Sequence, residues 1–573
     1  MDHVKQAQEL LAADRYAELE DLLQQFPKKL QQVAQEIRLQ KALKINDSEE
    51  LEELLDQYLA EYTKPPIANL LVAARVKMAA GKYREAIDLA TRVIARDASN
   101  FEAAETIYIC NINTKQFRHA LEVSIRLREE ARRLAVPVQQ RMSYFYHEFL
   151  ARTMLAQYEE ALEIWEETAD DRQRFPELIT SSVFSSLLRC LVATGRNGEA
   201  IQLIKDNNLD ESEDPQLALT IPLVWQAVDD EERCYAAFER LITLVPDSVE
   251  PKWNLALAKL GFGRLKEGLA NYEVRWDWDE FPSSKRTFKS ARWSAEDLSG
   301  KSILIWGEQG VGDQLLFLSL LPFVIDKNPA KIIVEVSEKL VPLVKKWYPE
   351  ASVRDDRVKH TEGQLIYDQI DFNIPSGSLM PLVIEHNREL RTRRRYLRVP
   401  SDARSKLLPQ NFSKKKWIVG LSWRSHYLTE ARTFNYLSVH AVIRILELFP
   451  QDVGFVCLQY SISDDERQLL RKFDNIFVPD EDFFERVELN ALYAGCCDLV
   501  VTAGTAVLQL AGIYKVPVIT WLPKNDWVLL GQKHYPWFDN VIVVQGEAKW
   551  DTTAMLYAVI RKMKIALRLD LEI

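Results

Sequence analysis

Residues 302–317 read SILIWGEQGVGDQLLF, an apolar run that is interrupted by three glycines and then resumes. The first part, from Ile303 to Trp306, predicts a buried strand, and the second part predicts a helix. Such a turn places backbone N–H groups and a short acidic side chain, Asp313, at the carboxyl end of a parallel strand, where α/β proteins bind ligands. We therefore expect a ligand site at this turn.

Strand-like runs alternate with helical runs from this stretch onward, which predicts parallel sheets. The predicted strands are Ile303 to Trp306, Lys331 to Val336 and Ile366 to Asp371 in a first set, and Ile418 to Trp423, Val453 to Gln459, Leu499 to Thr502 and Val516 to Trp521 in a second set. A basic segment with two prolines, residues 391–413, separates the sets and is predicted to be a linker. We expect two Rossmann-like domains, residues 301–405 and 406–573, facing one another across a cleft.

The first half of the chain, residues 1–275, is rich in Ala, Leu, Glu, Gln and Arg at helical spacing and has no convincing strand pattern. An aromatic residue followed three positions later by Ala recurs at Tyr83, Phe117 and Tyr158, and a degraded copy begins at Asn197. The offset between Tyr83 and Phe117 is 34 residues, the period of a tetratricopeptide repeat, and the later offsets are longer.

In this motif the aromatic residue and the Ala lie where two antiparallel helices cross, and only a small side chain allows close approach there. Each unit buries its face against its neighbour, so the pattern predicts an α-solenoid. Residues 276–300 are predicted to connect it to the α/β domains. Solenoid grooves commonly bind peptide segments or other proteins; the alternative is a structural stalk or an oligomerisation arm.

Composition narrows the function classes. The 573-residue chain has a formal net charge of -11, which argues against a general binder of nucleic acid or anionic membranes. Six scattered cysteines without a CxxC pair indicate reduced thiols. The polar start predicts no signal peptide, and no stretch has the length of a membrane span. We expect a cytoplasmic protein without a transmembrane segment.

A second ligand turn follows the predicted strand Leu499 to Thr502. Gly504 and Thr505 precede a predicted helix that begins near Ala506, so unpaired N–H groups and a hydroxyl are expected at a helix N-terminus, a natural phosphate site. Two arginines, Arg424 at the end of a predicted strand and Arg432 on the next loop, are candidates to neutralise a phosphate.

Further residues at predicted strand ends are candidates for ligand contact. Gln459, after the strand from Val453, is predicted to contact a nucleobase or ribose. Lys524, Asn525 and Asp526 follow the strand that ends at Trp521 and are predicted to line the same rim.

The order of these motifs resembles that of a known group of bacterial proteins. The matching stretches are residues 253–276, 305–313, 419–423, 458–459, 497–501, 505–507, 510–512 and 526–527. The chain resembles proteins that fuse tetratricopeptide repeats to a GT-B glycosyltransferase-like module, which is related to the heptosyltransferases and more distantly to the O-linked N-acetylglucosamine transferases. Flagellin-modifying enzymes that use nonulosonic acid donors look like the nearest functional analogues.

The resemblance implies roles for both turns. Asp313 is implied to be the general base that takes the proton of an acceptor hydroxyl, with Glu308 and His426 as rival bases and helix capping as the structural alternative for Asp313. The implied acceptor-side loop comprises Gly307, Glu308, Gln309, Gly310 and Gly312. The implied nucleotide-sugar site comprises Arg424, Arg432, Gln459, Gly504, Thr505, Ala506, Gln509, Asn525 and Asp526. The implied donor is a nucleotide sugar, CMP-linked for a nonulosonic acid, and neither a metal nor a further cofactor is expected.

At two positions the sequence differs from the group that it resembles, and these differences leave several functions open. Members of the group often carry Asp before the Thr of the nucleotide turn and His four residues after it, whereas this chain has Gly504 and Gln509. The leading hypothesis is a protein O-glycosyltransferase that acts on Ser or Thr of an acceptor such as flagellin, held by the repeats. The alternatives are a non-catalytic repeat adaptor with a decayed module, and a glycosyltransferase that acts on a glycolipid or polysaccharide.

Overall fold

The computed structural model describes residues 2–27, 30–45, 48–61, 64–356, 370–384, 394–426, 436–545 and 552–569. The chain divides into two compact units, Met1–Val183 and Phe184–Ile573. Within the described residues, no helix has both the length and the hydropathy needed to cross a membrane.

The first unit is helical. Its helices are α1 (Asp2–Ala12), α2 (Tyr16–Gln24), α3 (Gln31–Ile45), α4 (Ser48–Glu61), α5 (Ile67–Ala79), α6 (Tyr83–Ile94), α7 (Phe101–Asn113), α8 (Phe117–Arg133), α9 (Val138–Met154), α10 (Tyr158–Glu167) and α11 (Ala169–Arg174). Tight turns join them as antiparallel hairpins, such as α5 with α6 and α7 with α8. The predicted helical repeat is therefore present.

The repeat motif marks the start of the second helix of each hairpin. Tyr83, Phe117 and Tyr158 are the first residues of α6, α8 and α10. The alanines three positions later, Ala86, Ala120 and Ala161, are fully buried. Because nothing larger fits where the paired helices approach, the sequence periodicity located both the helix starts and the helix crossings.

The second unit begins with helices of the same kind. They are α12 (Ser181–Ala193), which crosses the boundary between the units, α13 (Asn197–Asp206), α14 (Pro215–Ala227), α15 (Glu231–Leu244), α16 (Glu250–Gly261) and α17 (Leu265–Asn271). A 3₁₀ turn, Tyr272–Asp277, follows. The degraded repeat copy keeps its geometry, since α13 begins at Asn197 and Ala200 is fully buried.

The first parallel sheet follows these helices. Its strands are β1 (Ala291–Arg292), β2 (Ser302–Trp306), β3 (Lys331–Val336), β4 (Ser352–Asp355) and β5 (Phe372–Pro375), in the order β1-β5-β2-β3-β4. The chain adds β3 and β4 on one side of β2 and returns to place β5 on the other. The loop after β2 therefore lies at a topological switch point, where open α/β sheets bind ligands.

One predicted strand of this sheet is displaced. Residues 366–369 of the predicted strand Ile366 to Asp371 lie outside the described residues, and the observed strand starts at Phe372. Asp371 immediately precedes the strand, and its carboxylate accepts hydrogen bonds from the backbone N–H and the hydroxyl of Ser302 at 2.8 Å. The side chain thereby caps the start of β2.

The second parallel sheet comprises β6 (Trp417–Ser422), β7 (Val453–Cys457), β8 (Ile476–Phe477), β9 (Leu499–Ala503), β10 (Val518–Trp521) and β11 (Val541–Val544), in the order β11-β10-β9-β6-β7-β8. The chain adds β7 and β8 on one side of β6 and then places β9, β10 and β11 on the other side. This sheet therefore has a switch point of its own, between β6 and β9. The strands missed from the sequence are β1, β4, β8 and β11, and each lies at an edge of its sheet. Helical repeats followed by two Rossmann-like domains confirm the predicted fold class.

Further helices cover the sheets: α18 (Val311–Leu318), α19 (Leu321–Ile325), α20 (Val341–Trp347), α21 (Leu379–Val383), α22 (Ala403–Leu407), α23 (Gln410–Ser413), α24 (Val439–Leu448), α25 (Asp464–Leu470), α26 (Val487–Gly495), α27 (Ala506–Ile513) and α28 (Thr552–Leu567). Helix α18 leaves β2, α27 leaves β9, and the two pack against one another. One buried apolar cluster contains residues of both. This packing places the two predicted ligand turns side by side.

Candidate functional site

A pocket of about 530 Å³ lies between the two sheets. Its wall includes ten residues that the sequence had singled out, namely Gln309, Gly310, Gly312, Asp313, Gly504, Thr505, Ala506, Gln509, Asp526 and His426. The first four follow β2 and the next four follow β9, so two switch-point loops meet at one cavity. The structure brings together the acceptor-side and nucleotide-side turns that the sequence predicted separately.

Two helix N-termini meet in this pocket. A Cβ atom at Gly312, in the first turn of α18, would lie 3.3 Å from Cα of Ala506, the first residue of α27. The first N–H groups of a helix have no partner within it, and the helix dipole makes this end partially positive. Two such ends side by side favour an anionic ligand such as a phosphate.

Asp313 both caps α18 and lines the pocket. Its Oδ2 accepts a hydrogen bond of 3.1 Å from the backbone N–H of Gly310, and its side chain is half-buried. The capping alternative and the ligand-site interpretation are therefore compatible, because one carboxylate closes the helix turn and also lies at the cavity wall.

Glu308 is directed away from this pocket. Its two carboxylate oxygens accept hydrogen bonds from Arg275, with Nη2–Oε1 at 3.0 Å and Nε–Oε2 at 3.1 Å. A Cβ atom at Gly377 would lie 1.8 Å from Oε1, so the backbone of residue 377 closes against the carboxylate. Burial raises the pKa of Glu308, and the Arg275 guanidinium opposes that rise. The rival base Glu308 is therefore a structural anchor of the loop.

The loop between Glu308 and Asp313 is held in an unusual backbone conformation. Gln309 has a φ of 61°, a left-handed value that is costly for a residue with a side chain. Its N–H donates to Ser283 Oγ at 2.6 Å, its side-chain amide donates to the Tyr272 hydroxyl at 3.2 Å, and its carbonyl accepts from Gln314 at 3.3 Å. These bonds fix the loop that carries Asp313.

The part of the pocket wall that follows β9 presents two neutral polar side chains. Thr505 is the residue before α27, and its buried Oγ1 has no hydrogen-bond partner among the described residues. Gln509 is buried in the same wall, and its Oε1 accepts from the Tyr535 hydroxyl at 3.1 Å. Burial raises the pKa of Tyr535, so that this hydroxyl stays protonated.

Arg424 does not line the pocket, contrary to the prediction. Its guanidinium pairs with the Glu466 carboxylate and also donates to the Ser461 carbonyl at 3.3 Å. Burial alone would raise the pKa of Glu466, but the hydrogen bonds from Arg424 and Ser463 hold it below its ordinary value. The positive charge of Arg424 is therefore neutralised inside the protein by Glu466. The second predicted arginine, Arg432, lies outside the described residues, as do Arg391 and Arg393.

Gln459 likewise has a structural position in place of the predicted nucleotide contact. Its Oε1 accepts from the N–H groups of Trp423 and Arg424 at 2.9 and 3.0 Å, and its Nε2 donates to the carbonyls of Arg424 and Tyr460 at 2.9 and 2.7 Å. The amide therefore ties the end of β6 to the end of β7. The adjacent residue, Tyr460, lines the pocket.

Asn525 faces the helical hairpins of the second unit. Its side-chain amide donates to Asp229 at 2.8 Å, and its carbonyl accepts from Gln226 at 3.2 Å. Lys524 forms an ion pair with the same Asp229. Of the predicted rim residues, Asp526 reaches the pocket, and its Oδ1 accepts from the N–H of Val528 at 3.1 Å.

Several residues of the pocket wall were not predicted. The wall also contains Lys339, Tyr460, Phe483, Phe484, Asn490 and Trp527. Lys339 pairs with Glu485 at 2.6 Å and lies 3.6 Å from the Phe484 ring centroid. These residues come from loops and helix faces that carry no local sequence motif. A polar Asn490 among the apolar residues of helix α26 is a feature of the sequence that could have indicated a site residue.

Comparisons with known proteins give partial similarities. No family model matches the chain. The chain is 26% identical over 311 residues to Protein FlbA of Caulobacter vibrioides, a match that covers 51% of this chain and 52% of that protein. The chain thus spans about half the length of this curated relative.

Solved structures of two kinds are similar to parts of the chain. One is a tetratricopeptide repeat protein from Parabacteroides merdae ATCC 43184, with 12% identity, 42% of this chain and 92% of that chain covered, and a TM-score of 0.31. Another is the glycosyl transferase family 9 protein from Veillonella parvula DSM 2008, with 11% identity, 48% and 99% coverage, and a TM-score of 0.35. A third is E. coli ADP-heptose LPS heptosyltransferase II, with 12% identity, 47% and 98% coverage, and a TM-score of 0.35.

Proposed function

We propose that this protein is a glycosyltransferase that transfers a sugar from a nucleotide-sugar donor to a Ser or Thr hydroxyl of a protein acceptor. The observation that carries the proposal is the pocket whose wall contains both Asp313, after β2, and Thr505 with the first turn of α27, after β9. A carboxylate and a set of N–H donors in one cavity can serve as the general base and as the stabiliser of the leaving group when a glycosyl group is transferred from a phosphate.

The donor phosphate would lie at the paired helix N-termini. Backbone N–H groups of α27 and the hydroxyl of Thr505 are preorganised donors that stabilise negative charge as the nucleotide leaves. Gln509, which stands where related proteins carry His, supplies a neutral amide in the same wall. This arrangement supports departure of the nucleotide without a metal.

The acceptor hydroxyl would approach from the α18 side. Asp313 takes its proton as the hydroxyl oxygen attacks the anomeric carbon, and general base assistance of this kind contributes about 10² to 10⁴ in rate. His426, in the same pocket wall, is the competing base. The helical repeats provide the type of surface that binds extended protein segments.

The motif order supports a more specific form of the proposal, in which the acceptor is a flagellin and the donor a CMP-linked nonulosonic acid. Intact-mass measurement of a co-expressed flagellin tests it, with the Asp313→Asn variant as the key comparison. An Asn oxygen can still accept the hydrogen bond from Gly310 N–H, so the helix cap is retained while the base is removed. Asp297→Asn is the matched control, because Asp297 caps an exposed turn at Ser299 Oγ and N–H.

We expect the acceptor mass to increase by one or more sugar residues with the wild-type protein and with Asp297→Asn, and by far less with Asp313→Asn. An unchanged acceptor mass with the wild-type protein, across a panel of nucleotide sugars and acceptors, would exclude the transferase.

A non-catalytic adaptor is the second candidate, and one observation favours it. The described wall of the pocket contains no arginine, and its lysine, Lys339, is paired with Glu485. A thermal shift assay with nucleotides separates the two functions. A ligand at one hundred times its dissociation constant stabilises the folded protein by about 2.7 kcal/mol, so a nucleotide-binding transferase shows a clear shift and an adaptor shows none.

A further inference from the structure

Asn490 is a polar residue in an apolar environment at the pocket wall. It lies in α26, is 1% exposed, and has the apolar residues Val487, Ala491 and Ala494 as buried neighbours on the same helix. A buried amide that is not fully hydrogen-bonded destabilises a fold, and such groups call for an explanation. The hydrogen bonds of Asn490 therefore indicate which of its two polar atoms is available to a ligand.

The orientation of the amide is determined by one bond. Nδ2 of Asn490 donates to the carbonyl oxygen of Leu458 at 3.2 Å. A carbonyl only accepts, so rotating the amide by half a turn would place two oxygens against each other. Oδ1 is therefore the remaining atom, and it is a buried acceptor with no partner among the described residues.

The surroundings of Asn490 suit a flat, aromatic ligand group. Tyr460, two residues after Leu458, and Phe483, whose ring centroid is 5.3 Å from that of Tyr493 on α26, both line the pocket. Val487, one helical turn before Asn490, also lines it. Aromatic and aliphatic walls with one buried acceptor match the two needs of a nucleobase, stacking on its face and hydrogen bonding at its edge.

We propose that Asn490 selects the base of the nucleotide by accepting a hydrogen bond from an exocyclic amino group. The proposal rests on the proposed nucleotide-sugar function. Cytosine and adenine carry an amino group at the corresponding edge position, whereas uracil carries a carbonyl oxygen there. A carbonyl opposite Oδ1 leaves two buried acceptors unpaired, which disfavours uridine nucleotides.

Binding of CMP, AMP, UMP and ribose 5-phosphate to the full chain tests the proposal. The variants are Asn490→Leu and Asn490→Ala, and the matched control is Asn475→Leu. Asn475 is also buried and also donates to a backbone carbonyl, that of Leu446 at 2.8 Å, but it is not part of the pocket wall. Ribose 5-phosphate carries the phosphate and sugar without a base, so it reports on the rest of the site.

We expect the wild-type protein and Asn475→Leu to bind CMP or AMP about tenfold or more tightly than UMP. In the Asn490 variants that preference should disappear, while the affinity for ribose 5-phosphate stays within about twofold of the wild type, since the phosphate site is untouched. A merely structural Asn490 would lower both affinities together.

Two results would overturn the inference in distinguishable ways. A wild-type protein that binds nucleotides without preferring an amino-bearing base, or Asn490 variants that keep the preference, would reject the role of Asn490 and leave the transferase proposal intact. A wild-type protein that binds none of the four ligands would reject both. If the Asn490 variants fail to fold, the wild-type measurement still tests the inference, because equal affinities for CMP, AMP and UMP would reject it.

Discussion

Arg275 and Glu308 form a two-pronged ion pair in which both side chains are fully excluded from solvent. Arg275 follows the last helical hairpin, and Glu308 begins the loop that carries Asp313. Arg275 also donates to the Tyr272 carbonyl at 2.9 Å, to Ser378 Oγ at 2.8 Å and to the Glu273 carboxylate at 3.2 Å. The helices of the second unit and the candidate catalytic loop are therefore joined by a buried charge pair.

Removing one member of this ion pair should destabilise the folded protein. We expect Arg275→Met to lower the free energy of unfolding by about 3–5 kcal/mol, because the Glu308 carboxylate is left buried without its counterion. Lys285→Met is the control, since Lys285 and Asp277 form an exposed pair at 3.2 Å, where the effect should stay below about 1 kcal/mol. Urea denaturation measures both. Equal stability of the two variants would contradict the assignment, and adding Glu308→Leu to Arg275→Met should recover much of the loss.

Gly377 should not tolerate a side chain. A methyl group there would lie 1.8 Å from Glu308 Oε1, so Gly377→Ala must displace the carboxylate from Arg275 and should destabilise the protein by about 1–3 kcal/mol. Gly198→Ala is the opposite case, because Gly198 is within helix α13 and, among the described residues, no atom outside its own helix backbone and chain neighbours lies within 4 Å of the added methyl group. That variant should be stabilised by about 0.5–1 kcal/mol. Thermal denaturation of the two variants should therefore shift in opposite directions.

A side chain should also be poorly tolerated at Gly261, at the end of α16, because it would contact the loop that carries Asp526. A methyl group at Gly261 would lie 2.0 Å from the carbonyl oxygen of Asn525, a backbone atom that cannot move without moving the pocket rim. We expect Gly261→Ala to lower both stability and nucleotide affinity, as measured by denaturation and by thermal shift with added nucleotide. An unchanged nucleotide shift would show that Asp526 and Trp527 do not contact the ligand.

His147 should make the first unit sensitive to acid. Burial lowers the pKa of His147 to about 4, below the value near 6.5 expected for an unfolded chain. Below pH 6.5 the unfolded state therefore binds more protons than the folded state. Keeping His147 uncharged in the folded protein therefore contributes fully to stability above pH 6.5. As the pH falls towards 4, the free energy of unfolding should decrease by about 2–3 kcal/mol.

The variant His147→Gln isolates this contribution. Its unfolding free energy should depend less on pH between 7 and 4 than that of the wild type. Parallel curves for the two proteins would mean that His147 titrates normally in the folded state.

Local patterns in the sequence predicted most of the fold and the position of both turns. The helix starts at Tyr83, Phe117 and Tyr158 are where periodicity places them, and so are the central strands of both sheets except β5, which starts one residue after the predicted strand ends. Central strands are buried on both faces and read as continuous apolar runs, whereas edge strands are short or irregular, and these were the strands missed. Asp313 and Thr505 were found because a strand–glycine–helix turn has a signature within a few residues.

Which polar side chains are available to a ligand was decided by tertiary structure. Arg424 is occupied by Glu466, Asn525 faces Asp229, and Gln459 connects two strand ends, so three predicted contacts were redirected by partners that lie far along the chain. Oδ1 of Asn490, which has no hydrogen-bond partner among the residues that the structure describes, became apparent in the same way. The sequence by itself determined where helices, central strands and ligand turns form, because those depend on neighbouring residues. Only the packed structure determined which charges are neutralised inside the protein and which polar atoms remain in the pocket, because hydrogen-bond partners are assigned by proximity in space.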